Sequence, residues 1–269
     1  MNPVLVHKGD SPIILGQPHG GTFVPAEILA RLNDRGRELT DTDWHINRLY
    51  WGLLSSATVV QATFHRYVID ANRDPDGRSL YPGQNTTTLG PTTDFDGLPI
   101  WDQPPDAIEI HALRRRFHAP YHAALTAEIA RVKAIHGVAV VFDCHSIRST
   151  IPFLFDGQLP LFNVGTNEGA TCADAVSDAV FAPCFAAADT VLNGRFKGGW
   201  TTRQYGAPDN NVHAIQMEIA QRGYLDTEAT PWAFARAKAD TLRHTLSLCL
   251  NNLDRLARSG QLVHGGHHA

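Results

Sequence analysis

Two histidines of the 269-residue chain stand in matching surroundings. His19 follows the apolar run Pro12–Gln17 in the breaker cluster Pro18-His19-Gly20-Gly21, and His145 follows Gly137–Phe142 in Asp143-Cys144-His145-Ser146. Both runs read as buried strands. Each therefore delivers an imidazole to the strand end where α/β folds place their sites. Imidazole is the commonest nitrogen ligand for zinc, and a catalytic zinc needs three protein ligands with one position left for water. No HxxH, HExxH or HxxE pattern starts at His19, because Thr22 stands where HxxE would put a carboxylate. The third ligand chosen is Asp43, within Asp41-Thr42-Asp43-Trp44-His45, which gives a metal set of His19, Asp43 and His145 for one divalent ion, zinc by ligand type. Asp143 is the alternative. Two residues before His145 on a strand, it also suits a hydrogen bond to an imidazole N–H. Asp41 and Asp43 are equally placed to cap a helix.

Other residue types could complete a hydrolytic site. Arg66 and Arg73 are seven residues apart in His65-Arg66-Tyr67-Val68-Ile69-Asp70-Ala71-Asn72-Arg73-Asp74-Pro75. Guanidinium groups bind carboxylates through two parallel hydrogen bonds and can stabilise a developing oxyanion. The plain alternative is a surface ion pair among Asp70, Arg73 and Asp74. Glu218, in Ile215-Gln216-Met217-Glu218-Ile219, has the apolar flanks of a buried carboxylate, which needs a partner such as an activated water or a core arginine. His118 and His122, four apart beside Tyr121 and Arg114-Arg115-Arg116, read as a polar helix edge rather than a second metal site. Cys144 and His145 cannot act as a nucleophile–base pair on a strand, where neighbours point to opposite faces.

The elements that must position these residues alternate between strand and helix. Strands are expected at Pro12–Gln17, Ala57–Phe64, Tyr67–Asp70, Gly137–Phe142, Leu161–Gly165 and Val212–Ala220. Helices are expected from Pro25 to Leu32, from Asp41 or Asp43 to Leu54, from Glu168 to Ala188 and from Pro231 to Ala257. Leu113, Phe117, Tyr121, Leu125, Ile129 and Val132 mark a long amphipathic helix that Pro120 would kink. Asn72–Pro105 is too long and too rich in breakers for a passive connection, so it reads as a functional loop and candidate lid. A second loop, glycine- and threonine-rich, runs from Lys197 to Ala207. The pattern predicts a single α/β domain over 1–269, a mixed, mostly parallel sheet with helices on both faces, and a flexible tail at 258–269.

A net charge of −4 offers no basic surface for nucleic acid or an anionic membrane. No stretch is long and apolar enough to cross a bilayer, and the start lacks a signal-peptide pattern. The four cysteines, Cys144, Cys172, Cys184 and Cys249, have no CxxC spacing. Free thiols in a reducing, cytoplasmic setting are expected.

Pro18-His19-Gly20-Gly21, Asp70-Ala71-Asn72-Arg73-Asp74-Pro75, Pro120-Tyr121-His122 and Asp143-Cys144-His145-Ser146 together resemble the motifs of the N-formylglutamate amidohydrolases, over about residues 10 to 225. That family is related to the zinc carboxypeptidases and to the aspartoacylase and succinylglutamate desuccinylase group. The resemblance implies a carboxypeptidase-like sheet with the metal at the strand ends, and a hydrolase that splits N-formyl-L-glutamate into formate and L-glutamate late in histidine degradation. It also implies roles. His19 and His145 would be metal ligands, Arg66 would polarise the scissile carbonyl, Asn72 and Arg73 would hold the substrate α-carboxylate, and Glu218 would be the general base. The side-chain carboxylate needs its own cation, for which Arg195, Lys197 and Arg203 are available, Arg203 being preferred. The alternatives are a hydrolase of another N-acyl amino acid and a non-catalytic amino-acid-binding protein of the same fold.

Overall fold

A computed structural model describes residues 1–79 and 83–263. Among the described residues seven strands form one sheet: β1 (Val4–His7), β2 (Ile13–Gln17), β3 (Thr58–Ala62), β4 (Ala139–Ile147), β5 (Phe162–Gly165), β6 (Thr190–Leu192) and β7 (Val212–Ala220). Their spatial order is β1-β3-β2-β4-β7-β5-β6. The run from β3 through β2 and β4 to β7 is parallel, and so is the β5–β6 pair. β1 lies antiparallel to β3, and β5 antiparallel to β7, so the sheet is mixed. The helices are α1 (Ala26–Leu29), α2 (Asp34–Arg37), α3 (Ile46–Tyr50), α4 (Ala107–Leu113), α5 (Ala119–His136), α6 (Asp174–Ala187), α7 (Trp200–Tyr205) and α8 (Arg236–Arg258).

β2, β4 and β7 are buried along their whole lengths, which is why they are largely apolar. Alternation then sorts their side chains between two cores. Val140, Phe142 and Cys144 of β4 and Ile215, Met217 and Ile219 of β7 face Val180 of α6 and Leu246 of α8. Ala139, Val141 and Ala214 face the opposite way, onto Tyr121, Leu125 and Val132 of α5. Each large apolar side chain buried in this way contributes about 2 kcal/mol. The same alternation has a second result. Beyond the end of the α5 core, the positions that share the face of Val141 and Ala214 are Asp143, His145, Gln216 and Glu218, all buried. The parallel register of β4 and β7 sets His145 directly beside Glu218.

Several segments depart from expectation for local reasons. Tyr67–Asp70 is a turn, not a strand: the His65 ring accepts the Tyr67 N–H at 3.1 Å, and the Asp70 carboxylate turns back onto the Asn72 N–H at 2.8 Å. The helix expected from Asp41 or Asp43 starts only at Ile46, and neither aspartate caps it; the residue before its first turn is His45, at a φ of 58°. Tight turning at Asn167 and Glu168, both at positive φ, delays α6 to Asp174. α7 interrupts the 197–207 loop, and α8 starts at Arg236 rather than Pro231. The short edge strands β1 and β6 had no sequence signal. The disturbance expected at Pro120 takes the form of a π turn, Arg114–His118, in which the Ala119 N–H reaches Arg114 O. α8 ends at Arg258, and Leu262 packs into the core behind it, so the expected flexible tail is ordered through 263; residues 264–269 lie outside the described residues.

The turn that carries His19 presses on the chain leaving β3. A Cβ on Gly21 would lie 2.4 Å from the Thr63 carbonyl carbon and 2.6 Å from Phe64 O, and backbone cannot yield as a side-chain tip can. Gly21→Ala is therefore expected to lower stability by about 2 kcal/mol or more, read by urea unfolding, with metal affinity falling as His19 shifts. An unchanged midpoint and unchanged affinity would show that the turn is soft.

Candidate active site

The end of β2, the end of β4 and the 39–45 turn bring three side chains to one point. His19 Nδ1 lies 3.2 Å from His145 Nδ1. Asp43 Oδ2 is 3.4 Å from the His145 atom and 3.9 Å from the His19 atom. The Asp43 carboxylate is held in place by the Ser146 N–H at 3.1 Å, while the Asp43 N–H binds His19 O at 3.1 Å. Both imidazoles are braced from behind. His19 Nε2 meets Asp70 Oδ1 at 2.7 Å, and His145 Nε2 meets Asp143 Oδ2 at 3.0 Å. Arg66 completes the cluster, with its Nη2 on His19 Nδ1, 3.6 Å from Asp43 Oδ1, and its guanidinium over the Phe95 ring.

Above this cluster is a cavity whose lining includes His19, Arg66, Asn72, Arg73, His145, Arg195 and Glu218. Glu218 is 7% exposed, and its Oε2 accepts from Gln216 Nε2 at 3.2 Å. Burial pushes its pKa up to about 8, against the pull of His145. Asp43 behaves oppositely: burial resists its charge, but His145, His19 and Arg66 outweigh it and hold its pKa below the ordinary range.

The sequence profile of the N-formylglutamate amidohydrolase family matches residues 11–225. The chain belongs to that family. Relatives of the family include an N-formylglutamate deformylase of Pseudomonas aeruginosa, 44% identical over 94% of this chain and 97% of its own length. Another, of Pseudomonas putida, is 39% identical over 92% of this chain and 94% of its own. A solved N-formylglutamate amidohydrolase from Ralstonia eutropha shares the fold with a TM-score of 0.81, at 24% identity over 97% of this chain and all of that one. A gene product of Agrobacterium tumefaciens shares it with a TM-score of 0.70, at 19% identity over 95% and 96% of the two chains.

In this chain the donor set fits a cation. Because Asp70 takes the His19 Nε2 proton, Nδ1 of that ring is a lone pair, and burial together with Arg66 lowers the ring's pKa to about 4, which keeps it neutral. For His145, burial opposes charge, but Asp143, Asp43 and Glu218 prevail and hold its pKa well above the ordinary value. Its Nδ1 therefore favours a proton, with His19 Nδ1 at 3.2 Å and Asp43 Oδ2 at 3.4 Å both within reach of it. Among the described residues, His19, Asp43 and His145 are the group able to hold a metal, with ligand atoms all within 4.8 Å of one another. Two braced imidazoles and a carboxylate suit zinc.

Asp143 stands behind His145 instead of beside the ligands, as its position two residues earlier on the strand allowed. Asp70 does pair with Arg73, Oδ2 to Nη1 at 3.8 Å, but its carboxylate is fully buried, so the pair is not a surface one; Arg66 is 4% exposed. The Arg73 guanidinium binds Thr87 O, Thr87 Oγ1 and Asn72 O at the cavity wall. Asn72 is turned towards the cluster: its Oδ1 accepts the Thr201 N–H at 2.8 Å and its Nδ2 lies 3.1 Å from His145 Nε2. Arg203 donates to Gly198 O at 2.9 Å and is not among the cavity-lining residues, whereas Arg195 is. Sequence reasoning missed the bracing by Asp70 and the roof formed by Phe95, for which no spacing gave a signal. Gln216 shares the face of Glu218 by strand alternation and was legible in principle.

Metal binding must displace the His145 proton, so affinity is expected to rise with pH, by up to about tenfold per unit while the imidazolium persists. Titration of metal-free protein with Zn2+ should give one equivalent, lost in His145→Ala and weakened roughly 10–100-fold in Asp143→Asn. Equal affinity at pH 6 and pH 8 would contradict the displacement.

Proposed function

We propose that the chain is a metal-dependent amidohydrolase, N-formylglutamate deformylase in type, that hydrolyses N-formyl-L-glutamate to formate and L-glutamate, as in histidine degradation. The observation that carries the reading is the pairing of Glu218 with His145 across two parallel strands, which sets a buried carboxylate of raised pKa beside the metal-ligand cluster in one cavity. The deformylase names of the two Pseudomonas relatives support the substrate. His19, Asp43 and His145 would hold the ion, with zinc the best match to the donors. Strand-end placement of these ligands is the feature that supports kinship with the zinc carboxypeptidases. Four free cysteines and the absence, among the described residues, of a helix long and apolar enough to cross a membrane accord with a cytoplasmic setting.

A divalent ion, when bound, supplies Lewis acidity for the carbonyl and a lowered pKa for water. Glu218 takes the proton from the attacking water and returns it to the leaving amine nitrogen, so the same carboxylate is base and then acid. Arg66 donates to the oxygen of the formyl carbonyl as it gains negative charge. Arg73 and Asn72 lie where they would receive the α-carboxylate, and Arg195 replaces Arg203 as the cation for the side-chain carboxylate because it reaches the cavity. Phe95 and Phe196 line the cavity and would limit water at the reacting centre.

Glu218→Gln should keep the metal and lose about 10³-fold in kcat. Its effect on stability has the opposite sign. A carboxyl whose folded pKa is about 8, above its unfolded value, is held best when protonated. Metal-free wild type therefore loses stability as pH climbs from the unfolded pKa towards 8. Glu218→Gln escapes that loss. Its melting temperature should match wild type near pH 4 and exceed it by several degrees at pH 8, on the order set by a stability change of 1–2 kcal/mol. Retained turnover would remove Glu218 from the role of base.

The acyl group and side chain are tested by substrate comparison. Formate release from N-formyl-L-glutamate should exceed acetate release from N-acetyl-L-glutamate, and activity should vanish on chelation and return with Zn2+. Arg195→Met should raise KM for N-formyl-L-glutamate about 10–100-fold, the scale of a lost hydrogen bond to a charged group, and leave N-formyl-L-norvaline nearly unaffected. Acetate released as fast as formate, or equal loss with both formyl substrates, would refute the respective assignment.

A further inference from the structure

The Asn72–Arg73 segment is part of no strand or helix, yet it must hold one side chain against His145 and another at the cavity wall. Its two outer carbonyls are both taken by histidines of the long helical rod. His122 Nε2 lies 2.7 Å from Ala71 O, and His118 Nε2 lies 3.1 Å from Arg73 O. A carbonyl only accepts, so in each ring Nε2 carries the proton. The two contacts bracket Asn72.

From these contacts we infer that His118 and His122 are positioning residues, which suspend the Ala71-Asn72-Arg73 turn from the helix and so fix the Asn72 and Arg73 side chains for substrate. The inference rests on the deformylase reading for the identity of that substrate. Three features specify the pair. The π turn at Arg114–His118 lies directly before α5, so His118 leaves the widened turn and His122 the regular helix, with ring centroids 4.4 Å apart. Tyr205 Oη lies 3.0 Å from His122 Nδ1 and 3.3 Å from His122 O; its proton, shared between these two acceptors, favours the tautomer with a lone pair on Nδ1 and hydrogen on Nε2. Trp200 packs edge-on to His122, centroids 4.5 Å apart, and its neighbour Thr201 donates its backbone N–H to Asn72 Oδ1. The helical rod and α7 thus both hold the turn, and they touch each other through His118, His122, Trp200 and Tyr205. Both rings are buried, and burial lowers the pKa of each, to about 3 for His122, so they act as neutral donors. This reading replaces that of a polar helix edge.

The test separates hydrogen bonding from ring packing. His118→Phe and His122→Phe keep a ring and lose the donor, whereas His118→Gln and His122→Gln place an N–H near Nε2. Zinc-loaded His122→Phe should show KM for N-formyl-L-glutamate raised about tenfold or more, with kcat changed much less and one equivalent of zinc retained. His122→Gln should recover most of the loss, and the His118 pair should behave alike. Tyr205→Phe removes only the hydroxyl, and a KM rise of about threefold is expected; should a histidine variant fail to fold, this variant decides the question. Gln variants no better than Phe variants, or an unchanged KM in Tyr205→Phe, would overturn the inference. Side-chain 15N spectra of the resting wild type should show both rings as Nε2–H tautomers. That readout needs no substrate: Nδ1–H tautomers would end the clamp even with deformylase activity intact, and wild type inactive on N-formyl-L-glutamate would end the substrate assignment while the tautomers stand.

Discussion

Two imidazole nitrogens 3.2 Å apart, with a carboxylate oxygen beside them, create a demand for positive charge that organises the rest of the site. That demand shows in the raised proton affinity of His145 and in the Arg66 guanidinium lying on His19. Neither arrangement would survive without its bracing. If Asp70 released His19, or Asp143 released His145, the rings could rotate or change tautomer, and their lone pairs would no longer converge. The buried aspartates therefore define which atoms meet as much as the ligands themselves do. Burial strengthens each of these interactions and makes a missing partner costly, which keeps the cluster in one geometry.

The sheet contributes position by arithmetic. Alternation on β4 sends Cys144 into the α6–α8 core and His145 to the opposite face, and the same rule on β7 separates Met217 from Glu218. Apolar residues hold the strands from both sides, and the first polar residues beyond α5 become the site. The long helical rod reaches this region because its π turn turns His118 towards the loop that carries Asn72.

Much of this was legible in the sequence. β-Branched runs ending in His19 and His145 gave the central strands and the strand-end site, and Glu218 stood out as a carboxylate among apolar neighbours. What was hidden depends on contacts between distant segments. Tyr67–Asp70 looks like a strand because it is apolar, yet its burial comes from contacts such as the Asp70 N–H on Leu89 O, and among the described residues it has no ladder partner. Asp41 and Asp43 fit a helix cap by spacing, but the Tyr67 hydroxyl and the Phe95 N–H take the first and the Ser146 N–H takes the second. Arg203 and Arg195 are equivalent cations to a reader of sequence; only the path of the chain between β6 and α7 sends one into the cavity. The short edge strands fell below the length at which a period of two can be recognised.

The cross-strand pairing of His145 with Glu218 has a consequence for how such a protein can change. The separation of ligand and base is set by the spacing of adjacent strands, about 4.8 Å, and by a register in which a slip of one residue would turn every side chain of the slipped strand to the other face. The walls that meet the rest of a substrate come instead from connecting segments, around Thr86, Phe95, Leu154 and Arg195. Reaction and selectivity are thereby assigned to parts of the chain with different tolerance for substitution. Loops can be lengthened, shortened or recharged to accept another acyl amino acid while the hydrolytic pair stays at its fixed distance. A lineage built on this sheet can explore substrates without rebuilding its chemistry.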